Sequence, residues 1–312
     1  MKRNISVIVP FHNEAEGVEL FYDAITQSLE AIPAIDWEVV CVEDGSGDDT
    51  LQRLIALAER DSRFKIIELS RNFGKEAALT AGIDQALGDA VIPIDADLQD
   101  PPALIGEMVA AWRAGAEVVL ARRIDRSSDG FFKRKTASWF YRVHNRMSKT
   151  KIPENVGDFR LMDRVVVAAL KQLPERQRFM KGLFAWVGFR TVTIDYSRQL
   201  RAAGDSKFSG FTLWNFALEG VTSFSTLPLK IWTYLGAVGA FGSLCYAIFI
   251  VLETLFDGRH VPGYASLFVA ILFFGSLQLV SIGLLGEYIG RIYIETKQRP
   301  SYIVRRTYGG DR

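Results

Sequence analysis

Cysteine and histidine are scarce in this chain: two cysteines, Cys41 and Cys245, and three histidines, His12, His144 and His260, among 312 residues. Two thiols in separate apolar runs provide neither a disulfide framework nor a thiolate zinc site, and the cytoplasm is their natural compartment. The histidines have no ligand spacing, so none is assigned to a metal. Net charge is nearly absent as well, +1 from 37 basic and 36 acidic residues, which gives no reason to expect a nucleic-acid partner. The opening Met1-Lys2-Arg3-Asn4 leads straight into a short apolar stretch holding a proline, too brief for the core of a secretory signal. The first apolar run ends in Pro10-Phe11-His12-Asn13-Glu14 without a glycine. The dinucleotide fingerprint G-x-G-x-x-G is therefore missing, which disfavours a nicotinamide dehydrogenase.

What is present, from residue 5 to about 192, is an alternation of short β-branched runs with stretches of helical period. Strands are expected at 5–10, 37–43, 64–69, 90–94 and 117–121, and helices at 18–31, 49–61, 74–87 and 101–114. That succession predicts an α/β, Rossmann-like domain with a mostly parallel sheet and a ligand crevice at the carboxyl ends of its strands.

Beyond residue 197 the composition changes. Residues 208–225 are aromatic and poor in charge, with Phe208, Phe211, Trp214, Phe216 and Phe224, the pattern of an amphipathic interfacial helix. Two uncharged runs follow, 22 residues at 231–252 and 26 at 261–286. Each is long enough to cross a hydrocarbon core of about 30 Å, so both are expected to be transmembrane. Between them lie Glu253, Asp257, Arg259 and His260, in a tight hairpin on the far side. After them come Arg291, Lys297, Arg299, Arg305, Arg306 and Arg312 against only Glu295 and Asp311, which places the tail in the cytoplasm with the large domain. The expected organisation is a cytoplasmic catalytic domain at 1–207, an interfacial helix at 208–229, a two-helix transmembrane hairpin at 230–290 and a basic tail at 291–312, all on an inner membrane. Gly236, Gly239, Ala240, Gly242 and Ser243 permit close helix packing, within the hairpin or between chains as a homo-oligomer.

Acidic pairs stand where strands are expected to end. Asp95-Ala96-Asp97-Leu98-Gln99-Asp100 follows the fourth strand. Two carboxylates two residues apart can give hard oxygen ligands to Mg²⁺ or Mn²⁺ while a diphosphate and waters complete the shell. Glu43-Asp44-Gly45-Ser46 ends the second strand, where an acid can accept hydrogen bonds from a base or a ribose and glycine lets backbone approach a ligand. Asn72-Phe73-Gly74-Lys75-Glu76 opens a helix whose N-terminus can face a diphosphate.

In this order, SVIVPFHNE, VEDGSGDDT, LSRNFGKEAALTAGI, DADLQDPP, GDFRLMDR and RAAGDSKFSG, followed by two spans, resemble the family-2 inverting glycosyltransferases of GT-A fold. Within that family they resemble the polyprenyl-phosphate glycosyltransferases, such as the bactoprenol glucosyltransferases and dolichol-phosphate mannose synthases. The resemblance implies that Pro10, Asn13, Glu14, Glu43, Asp44, Lys75, Asp95 and Ala96 bind a nucleotide sugar, and that Asp95, Asp97 and Gln99 hold the metal. Asp158, in Gly157-Asp158-Phe159-Arg160, matches the family's acidic residue near the acceptor, although it could instead cap a following helix. Many relatives carry Asp-Asp-Gly-Ser where this chain has Glu43-Asp44-Gly45-Ser46, which leaves open which acid touches the base. An acceptor phosphate brought beside a diphosphate needs cations, for which Arg122, Lys133, Arg134, Arg201 and Lys207 are candidates. Ser138 joins Arg134 in a pattern similar to the family's phosphate-binding segment. The implied reaction moves a hexose, first choice glucose from UDP-glucose, to undecaprenyl phosphate at the bilayer, giving a sugar donor for cell-envelope or O-antigen glycosylation. GlcNAc, galactose and mannose donors are the alternatives, and a catalytically silent membrane scaffold is the rival of another class. A processive polysaccharide synthase is disfavoured, because Gln177-Arg178-Phe179 does not supply Q-x-x-R-W and two spans are too few for a polymer channel.

Overall fold

The computed structural model describes residues 3–124, 153, 155–176, 178–197, 227–257 and 263–310. The chain divides into two compact units, 1–220 with 299–312, and 221–298.

The first unit is a three-layer α/β structure. Its strands are β1 (Arg3–Phe11), β2 (Ile35–Glu43), β3 (Phe64–Leu69), β4 (Ala90–Pro93), β5 (Val118–Arg123), β6 (Val156–Asp163), β7 (Thr191–Tyr196) and β8 (Val304–Tyr308). They form one sheet in the order β7-β5-β6-β4-β1-β2-β3-β8. The centre is parallel: β1 pairs with β2 and β4, and β2 with β3. The flanks are mixed, since β6 runs antiparallel to both β4 and β5, β7 is parallel to β5, and β8 is antiparallel to β3. The expectation of a mostly parallel sheet thus holds at the core and gives way to a mixed sheet outside it.

Helices α1 (Val18–Glu30), α2 (Thr50–Arg60), α3 (Lys75–Gln85) and α4 (Ile105–Arg113) link the central strands, and α5 (Arg164–Lys171) and α6 (Met180–Trp186) follow β6. Both faces of the sheet are covered, which is why the central strands read as unbroken apolar runs. Val39 and Cys41 of β2 join the main core with Phe21, Ile25 and Leu54, while Val40 and Val42 pack on the other face with Ala78 and Ala81. There α3 lies close against the sheet: a Cβ on Gly82 would stand 2.1 Å from Cγ2 of Ile8. Only glycine allows that approach.

In the second unit α7 (Leu227–Asp257) and α8 (Tyr264–Thr296) are 31 and 33 residues long. Within α8, Leu267–Thr296 is long and apolar enough to cross a membrane by length and composition, and none of it is buried. In α7 the described apolar stretch, Tyr234–Tyr246, is shorter. A second span remains an inference from the sequence. A Cβ on Gly236, Gly239 or Gly242 would meet nothing within 4 Å, so these small residues pack against no described neighbour. Residues 208–226 of the expected interfacial helix lie outside the described residues.

Candidate functional site at the carboxyl edge of the sheet

The loops that follow β1, β2 and β3 are bound to one another. Asn13 sits at φ 54, its N–H donating to Oγ of Ser46 at 3.0 Å and its Oδ1 accepting from Gly47 at 2.8 Å. Glu14 and Ala15 donate from their backbones to Thr50 Oγ1 and Asp48 Oδ2, at 3.0 and 3.3 Å. Asp48 also accepts from Thr50 N–H at 3.1 Å, so it, and not Asp49, supplies the side-chain oxygen at the start of α2. His12 Nδ1 lies 3.0 Å from the carbonyl of Asp44, which can only accept, so Nδ1 carries the proton. Its Nε2 is then the acceptor for the Asn72 amide at 3.0 Å. His12, to which the sequence lent no role, pins three loops together.

Glu43 and Asp44 are almost wholly buried, at 2% and 3% exposure. Glu43 accepts from the N–H groups of Gly45 and Ser46 at 3.2 and 2.5 Å and closes its own turn. Asp44 accepts from Phe73 N–H at 2.7 Å and Gly74 N–H at 2.8 Å, holding the approach to α3. Burial pushes its carboxyl above the usual range, and those two amides act against the rise. Gly45 lies at φ +64, and a Cβ there would be 2.3 Å from the backbone nitrogen of Asn72. Both the left-handed conformation and the close backbone demand glycine. Pro10 lies in β1 opposite Val42.

The β4 acids are arranged differently. Lys75, the first residue of α3, extends its ammonium to Asp95 Oδ1 at 2.7 Å and to Asp158 Oδ2 at 2.9 Å. The two carboxylates come from different strands, after β4 and within β6, and one cation joins them. Asp95 is 31% exposed and Lys75 45%, so this link stands at an open surface, whereas Asp158 is only 15% exposed. Asp97 Oδ1 accepts from the backbone N–H of Gln99 at 3.2 Å, with Leu98 between them at φ 55. Ala96 points into the core, so only its backbone can serve a ligand.

Asp158 lies in a strand and caps no helix. The N-cap of α5 is Asp163, whose side chain accepts from Val165 N–H at 3.0 Å. Burial works to raise the Asp158 carboxyl, but the charges of Lys75 and Lys181, with the Lys75 hydrogen bond, bring it down to about 2. For Lys75, burial works downward and is outweighed by Asp158 and Asp95, which raise its pKa above the usual lysine value. Asp158 Oδ1 is buried without a hydrogen-bond partner among the described residues. Such an oxygen suits a group that arrives with the substrate.

Arg122 is not open to a phosphate here: its Nε and Nη2 make a fork onto Asp195 of β7, at 2.7 and 2.9 Å. Lys133, Arg134, Ser138, Arg201 and Lys207 lie outside the described residues. Among the described residues no three His, Cys, Asp or Glu side chains converge as a metal cage. Asp95 and Asp97 present two carboxylates two residues apart after β4, the hard oxygen donors that Mg²⁺ or Mn²⁺ takes beside substrate phosphates, and both oxygens of Asp95 here hold the Lys75 ammonium, at 2.7 and 2.9 Å.

With this geometry in place, comparison with known proteins gives the class. Residues 6–170 match the family described as Glycosyl transferase family 2, and residues 227–292 match the GtrB C-terminal hairpin. The chain belongs to glycosyl transferase family 2 and is a glycosyltransferase. It is similar to the prophage bactoprenol glucosyl transferase homolog of Escherichia coli (strain K12), 53% identical over 302 residues, covering 97% of this chain and 98% of that one. It is equally similar to the bactoprenol glucosyl transferase of Shigella phage SfII, 53% identical over 307 residues, covering 98% and 99%. Among solved structures, a mannosyltransferase from Pyrobaculum calidifontis is 18% identical with a TM-score of 0.48, covering 93% of this chain and 88% of that one.

Proposed function

We propose that this enzyme transfers glucose from UDP-glucose to the phosphate of undecaprenyl phosphate or a similar polyprenyl phosphate, with inversion at the anomeric carbon. The observation that carries the reading is the Lys75 ammonium joining Asp95 and Asp158 at the carboxyl edge of the sheet. Near-full-length similarity to two bactoprenol glucosyl transferases supports the choice of sugar and lipid.

In this reaction a phosphate oxygen of the lipid attacks C1 of glucose from the face opposite the nucleotide. The bond from C1 to the diphosphate oxygen breaks, UDP leaves with the electron pair, and an α donor gives a β-linked product. The lipid monophosphate has a second pKa of about 6, so at neutral pH it is largely a dianion already. A carboxyl held at about 2 is a poor base for its last proton. Asp158 therefore acts as an orienting group, its Oδ1 accepting a hydrogen bond from a hydroxyl of the transferred sugar. Lys75 keeps a positive charge beside the position of the departing diphosphate, where negative charge grows. Glu43, Asp44, Asn13 and Glu14 frame the nucleoside, with Pro10 and the backbone of Ala96 beside them. Asp95, Asp97 and Gln99 would hold Mg²⁺ or Mn²⁺, which supplies charge neutralisation for the leaving group when bound.

Positioning of the acceptor phosphate falls to Lys133, Arg134, Ser138, Arg201 and Lys207, and to Arg122 once it exchanges Asp195 for the lipid. The catalytic domain and the C-terminal segment are cytoplasmic, and α7 and α8 form a two-span hairpin in the inner membrane. The test is transfer by the purified full chain from a panel of labelled UDP-glucose, UDP-GlcNAc, UDP-galactose and GDP-mannose to undecaprenyl phosphate, with Mg²⁺ or Mn²⁺. Label moving from UDP-glucose into lipid extract is expected. Preference for another donor would correct the sugar, and no transfer from any would refute the reaction.

A further inference from the structure

A second feature of the first unit stands beside this site and shares Lys75 with it. It is a cavity of about 270 Å³ whose lining includes Lys75, Glu76, Thr80, Arg176, Arg178 and Ser301. The lining carries three basic residues, of which Lys75 is already joined to Asp95 and Asp158, and one carboxylate. Burial, followed by the charge of Asp158, pushes that carboxyl, Glu76, up to about 7, so near neutral pH much of its charge is lost. The guanidinium of Arg178 is fixed in place, its Nε donating to the carbonyl of Glu175 at 3.1 Å and its Nη2 to that of Leu173 at 2.8 Å. Drug-sized ligands occupy pockets of about 300–1,000 Å³, so this one suits a small anion or a head group and is too small for a whole nucleotide sugar. Guanidinium groups match phosphate in shape as well as charge.

The cavity also adjoins the site. Lys75, which bridges Asp95 and Asp158, lines it. Ser301 in its wall follows Thr296, the last residue of α8, by five positions in sequence. Arg122, the described cation expected to meet the acceptor, is already paired with Asp195.

We propose that this cavity binds a phosphate monoester, with Arg176 and Arg178 as its counter-charges. The idea that the lipid acceptor fills it rests on the reaction proposed above, while free phosphate has the same chemistry. The test is ³¹P NMR titration of the detergent-solubilised full chain with inorganic phosphate and with a short-chain polyprenyl phosphate. Native protein is compared with Arg176→Gln and with Ser301→Asp, which adds a like charge to the wall.

Both variants are expected to bind at least one probe tenfold more weakly at unchanged melting temperature. If the lipid head is the occupant, its KM rises about tenfold while the donor KM stays within twofold. If free phosphate is the occupant, its binding weakens and the acceptor KM does not move. Either pattern supports the cavity as a phosphate site. Equal binding of both probes by native protein and both variants would overturn it. Native protein that binds phosphate through these residues yet transfers no sugar would refute the reaction and leave the cavity standing.

Discussion

The acids at the ends of β2 and β4 stand on either side of β1, and their surroundings differ. Glu43 and Asp44 are sealed from solvent and accept four backbone N–H groups between them, from Gly45, Ser46, Phe73 and Gly74. Asp95 is 31% exposed and is held by one flexible lysine. A carboxylate fixed by backbone amides shapes a loop, because moving it would leave several buried donors without partners. A carboxylate held by a side chain can be released when a ligand brings its own charge. In the proposed reaction the pair at β2 therefore builds the walls of the site, and the pair at β4, with Asp158, is left for chemistry.

That division can be broken from either side. Lys75→Ala leaves Asp95 and Asp158 without their shared cation, and transfer is expected to fall by about 10²–10³-fold, the scale seen when a charge-stabilising donor is lost. Steady-state rates test this, and Lys75→Arg should recover part of the loss. The same variant should unfold at a higher pH in acid titrations. The Asp158 carboxyl lies below its ordinary 3.8, at about 2, so its contribution is present above the ordinary value and lost as pH falls through the lower one. Without Lys75 that contribution shrinks.

On the other side of the comparison, Gly45→Ala should lower stability by about 2–4 kcal/mol in denaturant melts, from backbone strain and overpacking together. The added methyl would meet the backbone at Asn72, which cannot swing aside as a side chain can. A smaller, pH-dependent effect is expected at Glu76. Its folded pKa of about 7 exceeds the ordinary 4.5, so the folded state binds the extra proton between those values and stability declines as pH rises across that window. Glu76→Gln should raise Tm by a few degrees at pH 8 and change little at pH 5. Smallest of all is Arg122→Ala. Its partner Asp195 is 43% exposed, and exposed pairs contribute little. Thermal melts should not move, and a rise in acceptor KM alone would place Arg122 on the lipid phosphate.

Much of the central sheet was legible because it is buried on both faces: β1 to β5 and α1 to α4 lie close to where periodicity and caps put them. The flanking strands were not. β6 carries Asp158 and a buried Arg160, charges that hide a strand until their partners are known. β7 is mostly exposed and lacks an apolar run. β8 reads as a basic tail, and only the edge of β3 makes it a strand, with Arg305 and Tyr308 both reaching the buried Glu68 at 3.1 and 2.8 Å. For the site, strand-end position singled out the acids, but nothing local separates Asp44 from Asp95. Their roles depend on what the fold brings to each carboxylate: backbone amides at one, and at the other the ammonium of Lys75, twenty residues away.

The most direct test of that account is lipid-extractable label formed from UDP-glucose and undecaprenyl phosphate by native protein and by Asp95→Asn, each with a cooperative melt recorded on the same preparation. The account predicts β-linked product from native protein and at least a hundredfold less from the variant, with the melts coinciding. Transfer by Asp95→Asn at the native rate would contradict it.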